Sequence, residues 1–490
     1  MSQPNILIIM TDQHRFDCLG VAGNVDIQTP HLDALAADGV HYSQSFCPYP
    51  VCTPSRYSFL SGLYVRQHLG ASNYCTLPAG LPTFPQVLKE AGYHTKAVGK
   101  MHFTPTYLDV GFEALHLAEQ NGPGRYDDDY HRWLMAEGLY DRVDLLDQER
   151  AYRQDAPDIY WQTVGALEAN LDEAHHSTTW IGEQALAALQ GWDKSGNLLM
   201  VSFIKPHHPF DPPAPWTEMY DPQALTLLPG WLDDCLAADL AYHSGYFRHQ
   251  DLTESQVRRA MAYYYATISQ IDYQVGRLIA HLKAQNLYDD TLILFTSDHG
   301  EFLGFHHLLL KGNYMYDPLI KVPLLIKFPQ QARAGEVSTE LVSGIDVGPT
   351  LIETAGCTIP ASMAGQSLLR PNSRNIIFAE SNGGRDYMVR TPHHKLLLCQ
   401  NEAQSQFFDL TQDPFEMTNQ LDNPDYQKEI DNLREALFHW LAFACRSPVN
   451  LNEGATVIDG PNPLTADQAH RESAKAYFRQ KMASEYDYDI

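Results

Sequence analysis

Four short apolar runs between residues 6 and 295 each stop at a cluster of polar residues, and this repetition constrains the fold more than any other feature of the chain. Ile6 to Met10 ends in Thr11-Asp12-Gln13, and Thr95 to Val98 ends in Gly99-Lys100-Met101-His102. Leu198 to Ile204 ends in Lys205-Pro206-His207-His208-Pro209, and Leu292 to Phe295 ends in Thr296-Ser297-Asp298-His299-Gly300. Such runs alternate with amphipathic helical stretches, the pattern of a parallel sheet with helices on both faces. Open α/β sheets bind ligands outside the carboxyl ends of their strands, so the four clusters are expected to share one crevice.

The pattern changes near Pro371 to Arg374. Asn375 to Glu380, Tyr387 to Arg390, Lys395 to Cys399 and Gln406 to Leu410 read as short strands with turns between them, followed by a helix from about Tyr426 to Ala444. The predicted fold is therefore α/β, a large mixed and mostly parallel sheet sandwiched by helices over residues 1–374. A smaller α+β domain with a short antiparallel sheet follows over 375–445, and an arm over 446–490. The arm's charged segment, Ala466 to Met482, is expected to pack on its own subunit or on a neighbour, which allows a homo-oligomer.

The 490 residues, 44% of them hydrophobic, are enough for two cores. A formal charge of -26 disfavours nonspecific nucleic-acid binding and repels anionic membranes, so any anion site must draw on a local cationic field. No stretch of about 18 apolar residues occurs. The start lacks a basic segment, and its apolar run is short for a signal peptide. The eight cysteines form no C-x-x-C pair, which points to reduced thiols and a cytoplasmic location.

Cys52-Thr53-Pro54-Ser55-Arg56, closed by Ser61-Gly62, puts a thiol beside a guanidinium at a proline-started helix. With Pro at the first helical position and Gly62 ending the turn, Cys52 stands at the positive end of a short helix. Arg56, one turn on, offers a planar fork for sulfate, phosphate or carboxylate. The plain alternative is a buried thiol near a helix start. Asp12, Asp298 and His299 form a metal-ligand set, to which Gln13 can add a neutral oxygen. Oxygen ligation suits Ca²⁺ or Mg²⁺, whereas the imidazole favours Mn²⁺ or Zn²⁺. Lys100, Lys311 and Arg56 are equally readable as solvated charges, and His102, His207 and His208 as ordinary histidines. Pro206 and Pro209 rigidify the loop around His207.

The Cys52 to Gly62 run resembles the Cys-x-Pro-Ser-Arg signature of the type I sulfatases of the alkaline phosphatase superfamily, whose cysteine is oxidised to formylglycine. The resemblance extends to Asp12, Gly99 to His102, Pro206 to Pro209, Ser297 to Glu301 and Lys311, and then to Asp409-Leu410 and Asp413 to Glu416. It implies hydrolysis of an organic sulfate monoester, small-molecule or saccharide, and maturation by a formylglycine-generating enzyme. One divalent cation is implied on Asp12, Gln13, Cys52, Asp298 and His299, with Ca²⁺ the first choice and Mn²⁺, Mg²⁺ or Zn²⁺ the alternatives. Asp298 is implied as proton acceptor, and Arg56, Lys100 and Lys311 as neutralising the sulfate. His207 is implied as the acid for the leaving group, His102 as a base and Asn73 as a substrate contact.

Gln13 in place of a second Asp, and His299 in place of Asn, look more like the branch of choline sulfatases and phosphonate monoester hydrolases. Phe305 stands where similar enzymes often show Asp. A phosphonate monoester hydrolase or phosphodiesterase is thus the first alternative, and a non-catalytic anion-binding protein the second. His14, Arg15, Arg125, Arg385 and the segment from Tyr242 to Phe247 are expected on the leaving-group side.

Overall fold

The strand β1 (Asn5–Thr11) is buried along its whole length, and its alternate side chains divide between two cores. Ile6, Ile8 and Met10 enter one apolar cluster and Leu7 and Ile9 the other. A strand covered on both faces needs an unbroken apolar run, which is why no polar alternation marks it in the sequence. The structure is a computed structural model, and it describes residues 3–192, 195–232, 236, 239, 246–371, 374–449 and 468–484.

The remaining strands of this sheet are β2 (Val40–Tyr42), β4 (His94–Gly99), β5 (Ala114–Leu117), β6 (Asn197–Ser202), β7 (Thr291–Ser297), β8 (Leu324–Lys327) and β9 (Glu336–Ser338). Their order is β5-β4-β6-β1-β7-β8-β2-β9. Strands β5 through β7 run parallel, β8 is antiparallel to both its neighbours, and β9 pairs parallel with β2. The short β3 (Ser45–Phe46) pairs with β10 (Val342–Ser343) beside it. Register aligns the four strand ends: Met10 and Gly99 both face Ser202, and Thr11 faces Ser297. Strand β6 stops at Ser202, short of the expected Ile204. Its partner strand ends there at Gly99, with φ 93 and room for no Cβ, since one would lie 2.0 Å from the Ser202 carbonyl oxygen.

The second sheet is the expected antiparallel meander, β11 (Ile377–Ser381), β12 (Asp386–Arg390), β13 (His394–Leu398) and β14 (Gln406–Asp409). The helix packed on it runs from Gln427 to His439, and the stretch to Ala444 continues as a π-turn rather than as α-helix. Val389, Leu396, Phe407, Ile430 and Leu433 form the core between them. In the arm, the helix Gln468–Ser484 lies back on its own chain, with Ala474 and Phe478 against Tyr140 and Leu145. Arg471 of that helix donates to Asp127 at 2.8 Å. Among the described residues, no helix is long and apolar enough to cross a membrane.

A long helix, Glu254–Ala284, braces the sheet and carries the buried Asp272, whose carboxylate accepts the backbone N–H groups of His31 (3.2 Å) and Leu32 (2.7 Å). These belong to the first turn of the helix Pro30–Ala37. Burial pushes the Asp272 carboxyl up to about 7, against the pull of the two N–H groups. An unfolded carboxyl releases its proton near pH ~4, so between there and about 7 the native state holds the extra proton. Stability is therefore lost as pH rises through that window. Asp272→Asn is expected to flatten the fall in Tm between those pH values, and an unchanged slope would rule the assignment out.

Candidate active site

Asp12 and Asp298 leave adjacent strands at matched height, and both carboxylates are buried in one space at the strand ends. The helix Cys52–Ser61 brings the thiol to them. Val51 is its extended N-cap residue, Gly62 closes it at φ 64, and all ten residues between are buried. Pro54 is third in the first turn rather than first, where its missing N–H is still one the helix would leave unpaired. Asn73 caps this helix from outside, its Oδ1 accepting the Thr53 N–H at 3.1 Å. Cys52 is fully buried.

Ligand atoms of Asp12, Cys52, Asp298 and His299 all lie within 4.8 Å of one another. The Cys52 Sγ is 3.3 Å from His299 Nε2 and 3.6 Å from Asp12 Oδ1. His299 Nδ1 donates to the Gly300 carbonyl at 2.9 Å, which turns Nε2 towards the carboxylates. Gln13 adopts φ 65, its N–H donates to Asp298 Oδ1 at 3.1 Å, and its side-chain amide donates to Glu301. Its Oε1 is buried without a partner among the described residues. Two carboxylates, an imidazole nitrogen and an orphaned carbonyl oxygen make a donor set that fits a divalent cation.

Arg56 donates from Nε to Asp298 Oδ2 at 2.8 Å and from Nη2 to Asp12 Oδ2 at 3.1 Å. Its Nη1 serves Ser202 Oγ at 2.9 Å and the Lys100 carbonyl. Four of its five N–H groups are thus taken up within the protein, so the guanidinium is turned chiefly to the two carboxylates. Lys100 Nζ is 2.8 Å from Asp12 Oδ2 and donates to Gln120 Oε1 at 3.1 Å. Lys311 Nζ lies 3.0 Å from Cys52 Sγ, 2.9 Å from His207 Nε2 and 3.3 Å from His299 Nε2. The local cationic field that the acidic chain requires is thus built from Lys100 and Lys311.

Burial and the thiolate beside it would raise the Asp12 carboxyl, but Lys100 and Lys311 hold it well below its ordinary value. Burial, with Asp12 adding to it, raises Asp298 instead. The Cys52 thiol, opposed by burial, is pulled well below its ordinary value by Lys311, His299 and Lys100. Burial pushes His207 down to about 3, and Lys311 and Lys100 push the same way. Its Nδ1 donates to the His208 carbonyl at 2.7 Å, so Nε2 of a neutral ring accepts from Lys311. His102 adopts φ 55 and helps to draw the Cys52 thiol down, and its buried Nδ1 has no hydrogen-bond partner among the described residues.

The sulfatase family model matches residues 4–357, and that of the N-sulphoglucosamine sulphohydrolase C-terminal region matches residues 304–441. The chain belongs to the sulfatase family. This sulfatase is 32% identical over 470 residues to an arylsulfatase of Clostridium perfringens, across 89% of this chain and 94% of that one. It is 30% identical over 452 residues to a choline-sulfatase of Rhizobium meliloti, across 86% and 83%. A solved phosphonate monoester hydrolase of Agrobacterium radiobacter has the same fold, with a TM-score of 0.75 at 25% identity over 90% of this chain and 95% of that one. The protein is a sulfuric ester hydrolase with an alkaline phosphatase-like fold, and the reading as a non-catalytic anion binder falls away.

The sulfatase leaves the expected leaving-group residues elsewhere. Arg125 is buried against Asp144, and His14 Nε2 bonds the Cys18 carbonyl at 3.0 Å. Arg15 pairs with Asp17 at 2.7 Å, and exposed Arg385 bonds Asn382. Tyr246 bonds Asp147, Phe247 meets His208 edge to face, and Tyr242 to Gly245 lie outside the described residues. Phe305 stacks on His306 at 3.9 Å between ring centroids.

Sequence reasoning missed Glu119 and Gln120. Glu119 accepts the N–H groups of Met101 and His102, both at 2.9 Å, and so holds the loop that carries His102. Gln120 links Lys100 to Asp144. Both follow the end of β5, so the strand-end rule applied to one further, edge strand would have found them. Tyr264, whose hydroxyl donates to the Gln13 carbonyl at 2.6 Å, sits inside a helix and carries no such signal.

Proposed function

We propose that this sulfatase cleaves its sulfate monoester by attack from a formylglycine formed at Cys52, beside a divalent cation held by Asp12, Gln13, Asp298 and His299. The observation that carries the reading is the meeting of Asp12 Oδ1, His299 Nε2 and Lys311 Nζ within 3.6 Å of the Cys52 sulfur. That sulfur stands for the oxygens of the matured residue. The oxygen-rich donor set supports Ca²⁺ ahead of Mn²⁺, Mg²⁺ and Zn²⁺. When bound, the cation supplies a Lewis acid, and the hydrated formylglycine supplies a hydroxyl nucleophile. Because the Cys52 helix is wholly buried, a formylglycine-generating enzyme is proposed to act on the chain before it folds.

Asp298, raised by burial, takes up a proton at residue 52. Lys100 and Lys311 offset charge on the outer sulfate oxygens, while Arg56 holds the two carboxylates in place. His207 Nε2, 2.9 Å from the Lys311 ammonium, is placed to carry a proton to the leaving oxygen. His102 offers a second base, for the proton of the other hydroxyl at residue 52, so that the aldehyde re-forms as its C–O bond to sulfate breaks. The alcohol enters an opening of about 460 Å³ next to His102, lined by Asn73, Asn121, Gln148, Arg150 and Arg471. Hydrogen-bonding walls of this kind support a polar or saccharide ester. Free thiols at every described cysteine support a cytoplasmic location.

The Gln13 and His299 pair, together with the fold shared with a phosphonate monoester hydrolase, favours phosphorus as the second reading. Parallel kinetics with p-nitrophenyl sulfate and p-nitrophenyl phenylphosphonate separate the two, because kcat/KM ratios report differential transition-state binding. The sulfate is expected to be the better substrate. Equal or higher efficiency on the phosphonate would give the second reading first place.

A further inference from the structure

A cavity of about 630 Å³ lies between the loop after β1 and the C-terminal sheet, and none of the residues lining it belongs to the site described above. Phe16, Phe305, Leu341 and Phe415 form its apolar side, and Asp17, Gln44, Asp317 and Thr339 are among its polar lining. Three cations also line it, and they are not equivalent. Arg15 has Asp17 at 2.7 Å, and Arg390 has Asp317 at 3.0 Å, a carboxylate that Lys395 shares at 2.9 Å. Lys321 has neither an ion pair nor a hydrogen bond to its Nζ among the described residues. Its ammonium lies 4.4 Å from the centre of the Phe16 ring.

The lining therefore carries one positive charge more than its own carboxylates balance. Burial draws Lys321 below its ordinary value, with Asp317 opposing the shift, the response of an ammonium that has lost water without gaining a full partner. A cation over an aromatic face, at the edge of a ligand-sized cavity with an apolar side, recognises one class of molecule. We propose that this cavity binds a small monoanion with an aryl or alkyl body, its charge on Lys321 Nζ and its body against Phe16 and Phe305. The charge matches because Lys321 is the unbalanced group, and the apolar side disfavours a fully hydrated inorganic ion.

The test is isothermal titration calorimetry of the whole chain with 4-phenylbutyrate and with its neutral amide, 4-phenylbutyramide. Saturable binding with a negative heat-capacity change is expected for the acid, with the amide weaker by about ten- to a hundredfold. Lys321→Met should cost the acid a similar factor and leave the amide unchanged, whereas Lys321→Arg should keep both affinities. A saturating concentration of inorganic sulfate should not displace the acid, because the cavity is separate from the catalytic residues. No saturable heat with the natural chain, equal acid affinity in Lys321→Met, or displacement by sulfate would each overturn the proposal.

Discussion

Cys52→Ala is expected to lower turnover by a factor on the order of 10⁵ or more, while costing the fold only about 1 kcal/mol. The two numbers diverge because the sulfur serves chemistry far more than packing. Alanine offers nothing to oxidise, so no nucleophile can form at the point where Asp12, His299 and Lys311 converge. The stability loss is not zero, as it would be for a surface thiol, because the side chain is fully buried and its removal leaves a small gap. Progress curves on p-nitrophenyl sulfate and urea unfolding midpoints give the two readouts. Intact mass adds a third, since conversion of the thiol to formylglycine removes about 18 Da from the natural chain. A variant that keeps turnover would refute the mechanism.

Strand ends were the legible part of this molecule. A fully buried strand announces itself as an unbroken apolar run, and the polar residues after it have nowhere to go but the sheet's edge, so Asp12, Lys100, His207 and Asp298 could be grouped from sequence. Adjacency was not legible, because only the register of β1 on β7 and of β6 on β4 brings those ends to one height. Orientation was still further out of reach. Whether Arg56 faces an incoming anion or its own carboxylates depends on where Asp12 and Asp298 turn, and the protonation of His207 depends on the Lys311 ammonium contributed by a distant loop. The contacts of the residues expected on the leaving-group side were out of reach for the same reason. Arg15 and Arg125 are conspicuous in the sequence, but each finds a carboxylate close by, whereas Gln148 and Arg471 reach the opening from separate helices.

Arg56→Met is expected to destabilise the metal-depleted protein by about 3–5 kcal/mol, the usual consequence of removing one partner from a buried charge pair. Methionine keeps much of the stem's volume and removes only the guanidinium, so the loss is electrostatic rather than a packing defect. What remains is two buried carboxylates at the ends of neighbouring strands, Asp12 with Lys100 at 2.8 Å and Asp298 with, among the described residues, no ion pair beyond His299. Ser202 Oγ and the Lys100 carbonyl lose their donor as well. Arg56→Lys should fall between the two, because a single ammonium cannot span both acids as a fork does. A divalent cation bound by Asp12 and Asp298 would offset the same unpaired charge. The deficit measured by urea unfolding should therefore be largest in EDTA and should shrink when Ca²⁺ is restored in excess. A deficit of the same size in EDTA and in Ca²⁺ would mean that these two carboxylates do not hold the ion, whatever the fate of activity.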